Sequence, residues 1–120
     1  MEVKNMPEKL SDVVMDLAEE SYKEHMYLLK DEYIDVYSNA YVLGYNNAWN
    51  KHYNKRNKLF DCKPTNYAIN CSAIEFYVKH KERFNDDLKD THDAFLFGFI
   101  NGYALCWNCT EEIKNKYIID

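Results

Sequence analysis

Four carboxylates near the N-terminus have a spacing that could support catalysis. Glu20 and Glu24 lie four residues apart, and Glu32 and Asp35 follow three residues apart. Residues three or four apart share one face of a helix, so two adjacent helices could bring these carboxylates together. Converging carboxylates bind Mg²⁺, and the metal can in turn bind the phosphate chain of a nucleotide.

This carboxylate pattern resembles that of the all-α nucleotide pyrophosphohydrolases over about 16 residues, from Glu20 to Asp35. The resemblance implies a Mg²⁺-dependent hydrolase. Carboxylates on an exposed helix more often simply face solvent. We therefore keep the hydrolase as an alternative and do not expect an enzyme.

The four cysteines and the repeated histidines are the other candidates for chemistry. Cys106 and Cys109 form a C-x-x-C pair, but eight residues separate Cys62 from Cys71, which is not the spacing of a zinc knuckle. We expect no metal and no cofactor, and the sequence leaves open whether the four thiols are free, metal-bound or oxidised.

Two histidines occur in a matching context. Tyr22 and His25 recur as Tyr77 and His80, and each histidine follows a glutamate by five residues. A tyrosine and a histidine three apart share a helical face, whereas positions five apart diverge. The pattern therefore predicts a structural hydrogen-bonded group rather than a metal or catalytic site.

A short basic segment interleaves cations with aromatic and amide side chains. It contains Lys51, Lys55, Arg56 and Lys58 and no acidic residue. Such a segment could contact phosphates and stack a base. The alternative is a solvated helix end, where cations are favoured by the helix dipole. We treat the segment as a candidate anion or nucleic-acid contact.

The chain also contains an internal repeat. Residues 40–49 match residues 94–103 at an offset of 54, with an identical alanine, glycine and asparagine. The match predicts two similar helical hairpins, about 7–57 and 64–118, within one domain spanning 1–120. We expect these hairpins to pack about a pseudo-two-fold axis.

Small residues recur every fourth position in both copies of the repeat. A helix with this spacing has a flat side where another backbone can approach closely. We interpret this glycine strip as a tight core crossing of helices two and four, and a homodimer contact is the alternative. Its members are Ala40, Gly44, Ala48, Ala94, Gly98 and Gly102.

Hydrophobic periodicity predicts an all-α fold of four helices in a compact bundle, with helices two and four long and aromatic. The interruption at Lys30-Asp31-Glu32 leaves a single bent helix as the alternative to helices one and two. Thr65 is the expected N-cap of helix three. The predicted bounds are 7–29, 32–57, 65–84 and 90–117, with a linker at 59–64.

Charge is unevenly distributed along the chain, which has a net charge of −5. Residues 1–35 contribute −6 and residues 36–60 contribute +4. This balance makes binding to nucleic acid unlikely and allows a partner with a basic surface. No membrane-spanning segment or signal peptide is apparent, so we expect a cytoplasmic protein.

These observations favour a non-enzymatic interaction protein whose acidic helix binds a basic partner surface. The composition, small, acidic and rich in tyrosine and asparagine, resembles that of phage or mobile-element inhibitors of host defence, including anti-CRISPR proteins. The alternative is a nucleotide or small-ligand binding protein whose pocket lies between the two hairpins, with the basic segment nearby. The predicted partner-binding residues are Asp16, Glu19, Glu20 and Glu24.

Overall fold

Four helices make up nearly all of the described structure, and the fold is all-α as predicted. The computed structural model describes residues 8–26, 31–54, 59–60, 65–83 and 89–117. Turns of 3₁₀ helix at Asp31–Tyr33 and Lys81–Arg83 adjoin the second and third helices. The helices are α1 Glu8–His25, α2 Ile34–His52, α3 Asn66–His80 and α4 Lys89–Tyr117.

The helix bounds agree with the sequence pattern at some ends and differ at others. Thr65 is the N-cap of α3, and its hydroxyl accepts a hydrogen bond of 3.1 Å from the amide of Ala68. The prediction that helix two continues to residue 57 is wrong. A two-residue strand β1, Tyr53–Asn54, begins directly after His52 and pairs antiparallel with β2, Leu59–Phe60.

The two hairpins bury matching residues. The outer helices α1 and α3 each bury three residues that lie 55 positions apart in the chain, and α2 and α4 each bury seven that lie 54 apart. The pairs in α1 and α3 are Val14 and Ile69, Ala18 and Ala73, and Tyr22 and Tyr77. Those in α2 and α4 are Tyr37 and Thr91, Ala40 and Ala94, Tyr41 and Phe95, Gly44 and Gly98, Tyr45 and Phe99, Ala48 and Gly102, and Trp49 and Tyr103.

The glycine strip lies where α2 and α4 approach each other inside the chain. A Cβ added at Gly44 would lie 2.9 Å from the carbonyl carbon of Phe99, and one at Gly98 would lie 3.1 Å from that of Tyr37. Neighbouring backbone therefore fills the space that a side chain would need. A homodimer contact through this strip does not agree with this structure, because the chain's own helices already occupy it.

The same contacts show that α2 and α4 run parallel with a defined register. Gly98 faces Tyr37, and Gly102 faces Tyr41, so residue numbers rise together along both helices. Each of these two contacts joins residues that are 61 positions apart in the chain, whereas the contact between Gly44 and Phe99 joins residues 55 positions apart. Each Cβ bond tilts toward the N-terminus of its own helix, so the contacts made from α4 overestimate the offset between level residues and the contact made from α2 underestimates it. Residues at the same level of α2 and α4 are therefore about 58 positions apart in the chain.

This packing register differs from the sequence repeat. The repeat matches Gly44 with Gly98, but the packing places Gly44 level with Gly102. The difference of four residues corresponds to about one helical turn, or about 6 Å along the helix axis. Helix α4 is therefore displaced along α2 by one helical turn from the position that would place matching residues of the repeat at the same level. We call this displacement the one-turn slide.

The close approach predicts that Gly98→Ala will destabilise the protein, by about 2 kcal/mol, since the added methyl group meets backbone atoms that cannot rotate away. Helix propensity alone predicts the opposite sign, a gain of about 1 kcal/mol. Chemical denaturation would measure the change. Ala68→Gly, at an exposed position of α3, is the control for propensity. A Gly98→Ala variant more stable than the wild type would contradict the close approach.

Candidate interaction surface

The outer side of α1 has a continuous charged surface. Five carboxylates and one lysine are exposed there, on the side of the helix opposite the buried Val14, Ala18 and Tyr22. We call this surface the acidic face, and it has a net charge of −4. Its residues are Asp12, Asp16, Glu19, Glu20, Lys23 and Glu24. The four predicted partner-binding residues thus share one exposed surface.

A buried hydroxyl group fixes α1 to the rest of the bundle. Tyr37 is fully buried, and its hydroxyl oxygen lies 2.7 Å from the hydroxyl of Ser21 on α1. The same oxygen accepts a hydrogen bond of 2.9 Å from the side-chain amide of Asn101 on α4. The Tyr22 ring packs edge-on against Tyr37, with ring centroids 5.3 Å apart. One side chain therefore connects three helices and orients the acidic face.

The carboxylates of the hydrolase pattern do not form a metal site in the described structure. Glu20 and Glu24 are exposed on α1, Glu32 is exposed in the turn before α2, and Asp35 is exposed in the first turn of α2. Within the described residues, no three histidine, cysteine, aspartate or glutamate side chains lie close enough together to hold a metal ion.

A half-open cavity of about 580 Å³ lies between the two hairpins. Apolar side chains from α1, α2 and α4 form most of its lining. Asp35 and Asn39 are exposed, and His80 is the lining residue from α3. The lining residues are Met15, Asp35, Val36, Asn39, Val42, Leu43, His80 and Phe95.

The polar groups of this cavity are mainly acceptors. The Nδ1 atom of His80 lies 2.8 Å from the carbonyl oxygen of Phe76, so it must donate, which leaves Nε2 as an acceptor in the neutral ring. Asp35 adds a carboxylate, and no lysine or arginine is among the lining residues that the structure describes. The cavity therefore suits an apolar group with hydrogen-bond donors better than a phosphate. The small-ligand alternative places a pocket between the hairpins, but the sequence did not identify the lining residues, because they come from all four helices.

The structure assigns structural contacts to several residues that the sequence singled out. His25 Nδ1 lies 3.0 Å from the Ser21 carbonyl oxygen, which repeats the arrangement of His80. Lys51 donates to the hydroxyl of Ser72 over 3.2 Å and so connects the end of α2 to α3. Lys55, Arg56 and Lys58, the rest of the basic segment, lie outside the described residues.

Two of the four cysteines can be placed. Cys71 is exposed on α3, whereas Cys106 is buried in α4. The side chains of Cys62 and Cys109 are outside the described part of the chain.

Comparisons with known proteins add no further identification. No protein-family model, curated protein or solved structure matches this chain. Among the described helices, none combines the length and the apolar character that crossing a membrane requires.

The connection through Tyr37 predicts a specific loss of stability. Tyr37→Phe leaves Ser21 and Asn101 without their common partner, and we expect the free energy of unfolding to fall by about 1–3 kcal/mol. Thermal and chemical denaturation would measure the change. Tyr67→Phe removes the same hydroxyl from a side chain that is 78% exposed and is the control. Equal stability of the two variants would contradict the structural role of the buried hydroxyl.

Proposed function

We propose that this protein is a non-enzymatic interaction module that binds the basic surface of a protein partner through the acidic face of α1. The observation that carries the proposal is the grouping of five exposed carboxylates on one side of a helix whose opposite side is fixed in the core. The proposal needs no catalytic group and no cofactor.

The charge of the acidic face is available to a partner. The structure contains an ion pair between Glu75 and Lys79, and it places His92 Nδ1 3.7 Å from a carboxylate oxygen of Asp93. Within the described residues, neither of these pairs uses a carboxylate of the acidic face. A surface with uncompensated charge of one sign accelerates association with an oppositely charged partner and selects its orientation.

The attachment of α1 supports affinity as well as specificity. Ser21, Tyr22 and Tyr37 hold the helix on the bundle through a hydrogen bond and an aromatic contact. A surface that is already ordered loses less conformational entropy on binding than a flexible one. The carboxylates can therefore act together on a partner at a small entropic cost.

The narrower proposal is that the partner is a host defence protein and that this chain is a phage or mobile-element inhibitor. Its support is compositional: a small acidic chain with 11 tyrosines and no catalytic motif. Such a protein would act by occupying a surface that its target needs for its own ligand.

The cavity supports a second candidate, the binding of a small molecule. A volume of about 580 Å³ is within the range of ligand sites. Its apolar lining, with acceptors at Asp35 and His80, favours an amine or hydroxyl group on an apolar body. A nucleotide is disfavoured, because its phosphates would face the Asp35 carboxylate.

Neutralising the acidic face should weaken partner binding without unfolding the protein. The test variant combines Asp16→Asn, Glu19→Gln, Glu20→Gln and Glu24→Gln. Immobilised wild type and variant would be incubated with a host lysate, and the captured proteins quantified by mass spectrometry. We expect at least one protein to be captured by the wild type and lost from the variant. Its association rate, measured after purification, should fall about tenfold or more and depend less on salt.

A charge-matched variant provides the control for this experiment. Glu32→Gln, Glu75→Gln, Glu82→Gln and Asp90→Asn also remove four exposed carboxylates, but none belongs to the acidic face. This control should retain the captured protein. Equal loss from both variants would show a general charge effect, and equal retention would show that the acidic face does not bind. Either result would contradict the proposal.

A further inference from the structure

The outer side of α3 has an apolar surface that the fold does not cover. Tyr67, Ile74 and Val78 are 78%, 53% and 55% exposed, and Cys71 is exposed between them. We call these four residues the α3 stripe. Their spacing of four, three and four residues keeps them on one side of the helix, opposite the buried Ile69, Ala73 and Tyr77 of the same helix.

The internal repeat provides a comparison for this surface. The residues 55 positions before the α3 stripe are charged and belong to the acidic face of α1. They are Asp12, Asp16, Glu19 and Lys23. The buried sides of α1 and α3 match residue by residue, so the hairpin itself does not require apolar residues on its outer side.

Isolated exposed apolar residues are common in proteins and need no explanation. A run of four on one side of a helix is different, because the spacing of three and four residues is that of a helix-pairing surface. At these four matched positions the outer side is charged in α1 and apolar in α3, as a protein contact made by α3 alone would require.

We propose that the α3 stripe binds a second copy of this chain, with the two α3 helices antiparallel. A two-fold axis between Cys71 and Ile74 would place Tyr67 opposite Val78 of the second copy and Cys71 opposite Ile74 of the second copy. The spacing of four, three and four residues is the same in both directions, so the stripe is complementary to itself. Such an isologous contact closes as a dimer.

Charge favours a second copy over the basic partner of the acidic face. The stripe has no charged side chain, and the neighbouring Glu75 and Lys79 are paired with each other at 3.4 Å. A neutral surface does not attract a basic partner over a distance. It does allow two chains of net charge −5 to meet without placing their acidic faces together.

The area of the α3 stripe determines how tightly two copies of the chain should bind each other. Four side chains and their neighbours on a 15-residue helix would bury roughly 800–1,000 Å² in total, at the low end of specific interfaces. We therefore expect a reversible dimer with a dissociation constant of about 10–100 µM. The fraction of chains in the dimer should increase with protein concentration by mass action. The dimer is independent of the proposed partner binding, since the acidic face lies on a different helix.

Analytical ultracentrifugation tests the dimer directly. Over about 5–500 µM, the wild-type mass should rise from that of one 14.4 kDa chain toward twice that value. Ile74→Glu introduces a charge next to the two-fold axis and should raise the dissociation constant at least tenfold. Phe97→Glu is the matched control, since Phe97 is equally exposed, at 51%, on α4 outside the stripe. It should leave the dimer unchanged.

A mixture of two variants tests whether Ile74 of both copies lies near the two-fold axis. Ile74→Glu and Ile74→Lys should each be monomeric alone, because like charges meet near the axis. Mixed in equal amounts they should regain a heterodimer. Circular dichroism would check that each variant is folded.

Three results would overturn the proposal. One is a wild-type chain that stays monomeric at about 500 µM, about five times the upper end of the expected dissociation constant. Another is a dimer that Phe97→Glu disrupts and Ile74→Glu does not. The last is an equal mixture of Ile74→Glu and Ile74→Lys that stays as monomeric as each variant alone. If a different protein binds the α3 stripe in place of a second copy, the first of these results is expected.

Discussion

The close approach of α2 and α4 is the constraint on which the rest of the structure depends. Gly44, Gly98 and Gly102 have no Cβ, so each backbone lies against a carbonyl of the other helix. Aromatic side chains fill the space on both sides of this contact, and Tyr37, Tyr45 and Phe99 are fully buried there. The outer helices α1 and α3 then pack on this central pair, which determines where their exposed sides lie.

The fold uses one framework to present two surfaces of different chemistry. The buried sides of α1 and α3 match, yet their outer sides do not: one is acidic and the other apolar. A charged surface acts at a distance and depends on salt, whereas an apolar surface acts only on contact. The two proposals, a basic partner at α1 and a second copy at α3, follow from this difference.

Local features and the close crossing of α2 and α4 were predictable from the sequence, and the details of the other contacts between helices were not. Thr65 and the glycine spacing depend on neighbouring residues, so their roles could be predicted. The end of α2 at His52 depends on pairing between β1 and β2, which a helical pattern does not reveal. The cavity depends on side chains from four helices. The one-turn slide depends on how the large aromatic rings pack between α2 and α4. The acidic residues were identified correctly as a shared exposed surface, but their binding role stays a prediction.

The one-turn slide makes matching residues of the repeat physically unequal. Asn47 and Asn101 occupy the same place in the repeat, yet only Asn101 reaches the hydroxyl of Tyr37. The side-chain oxygen of Asn47 is buried without a hydrogen-bond partner. Random substitution should therefore be tolerated far better at Asn47 than at Asn101. Matching positions of the two halves would in this way tolerate substitution to different degrees, each according to the neighbours that the slide has given it.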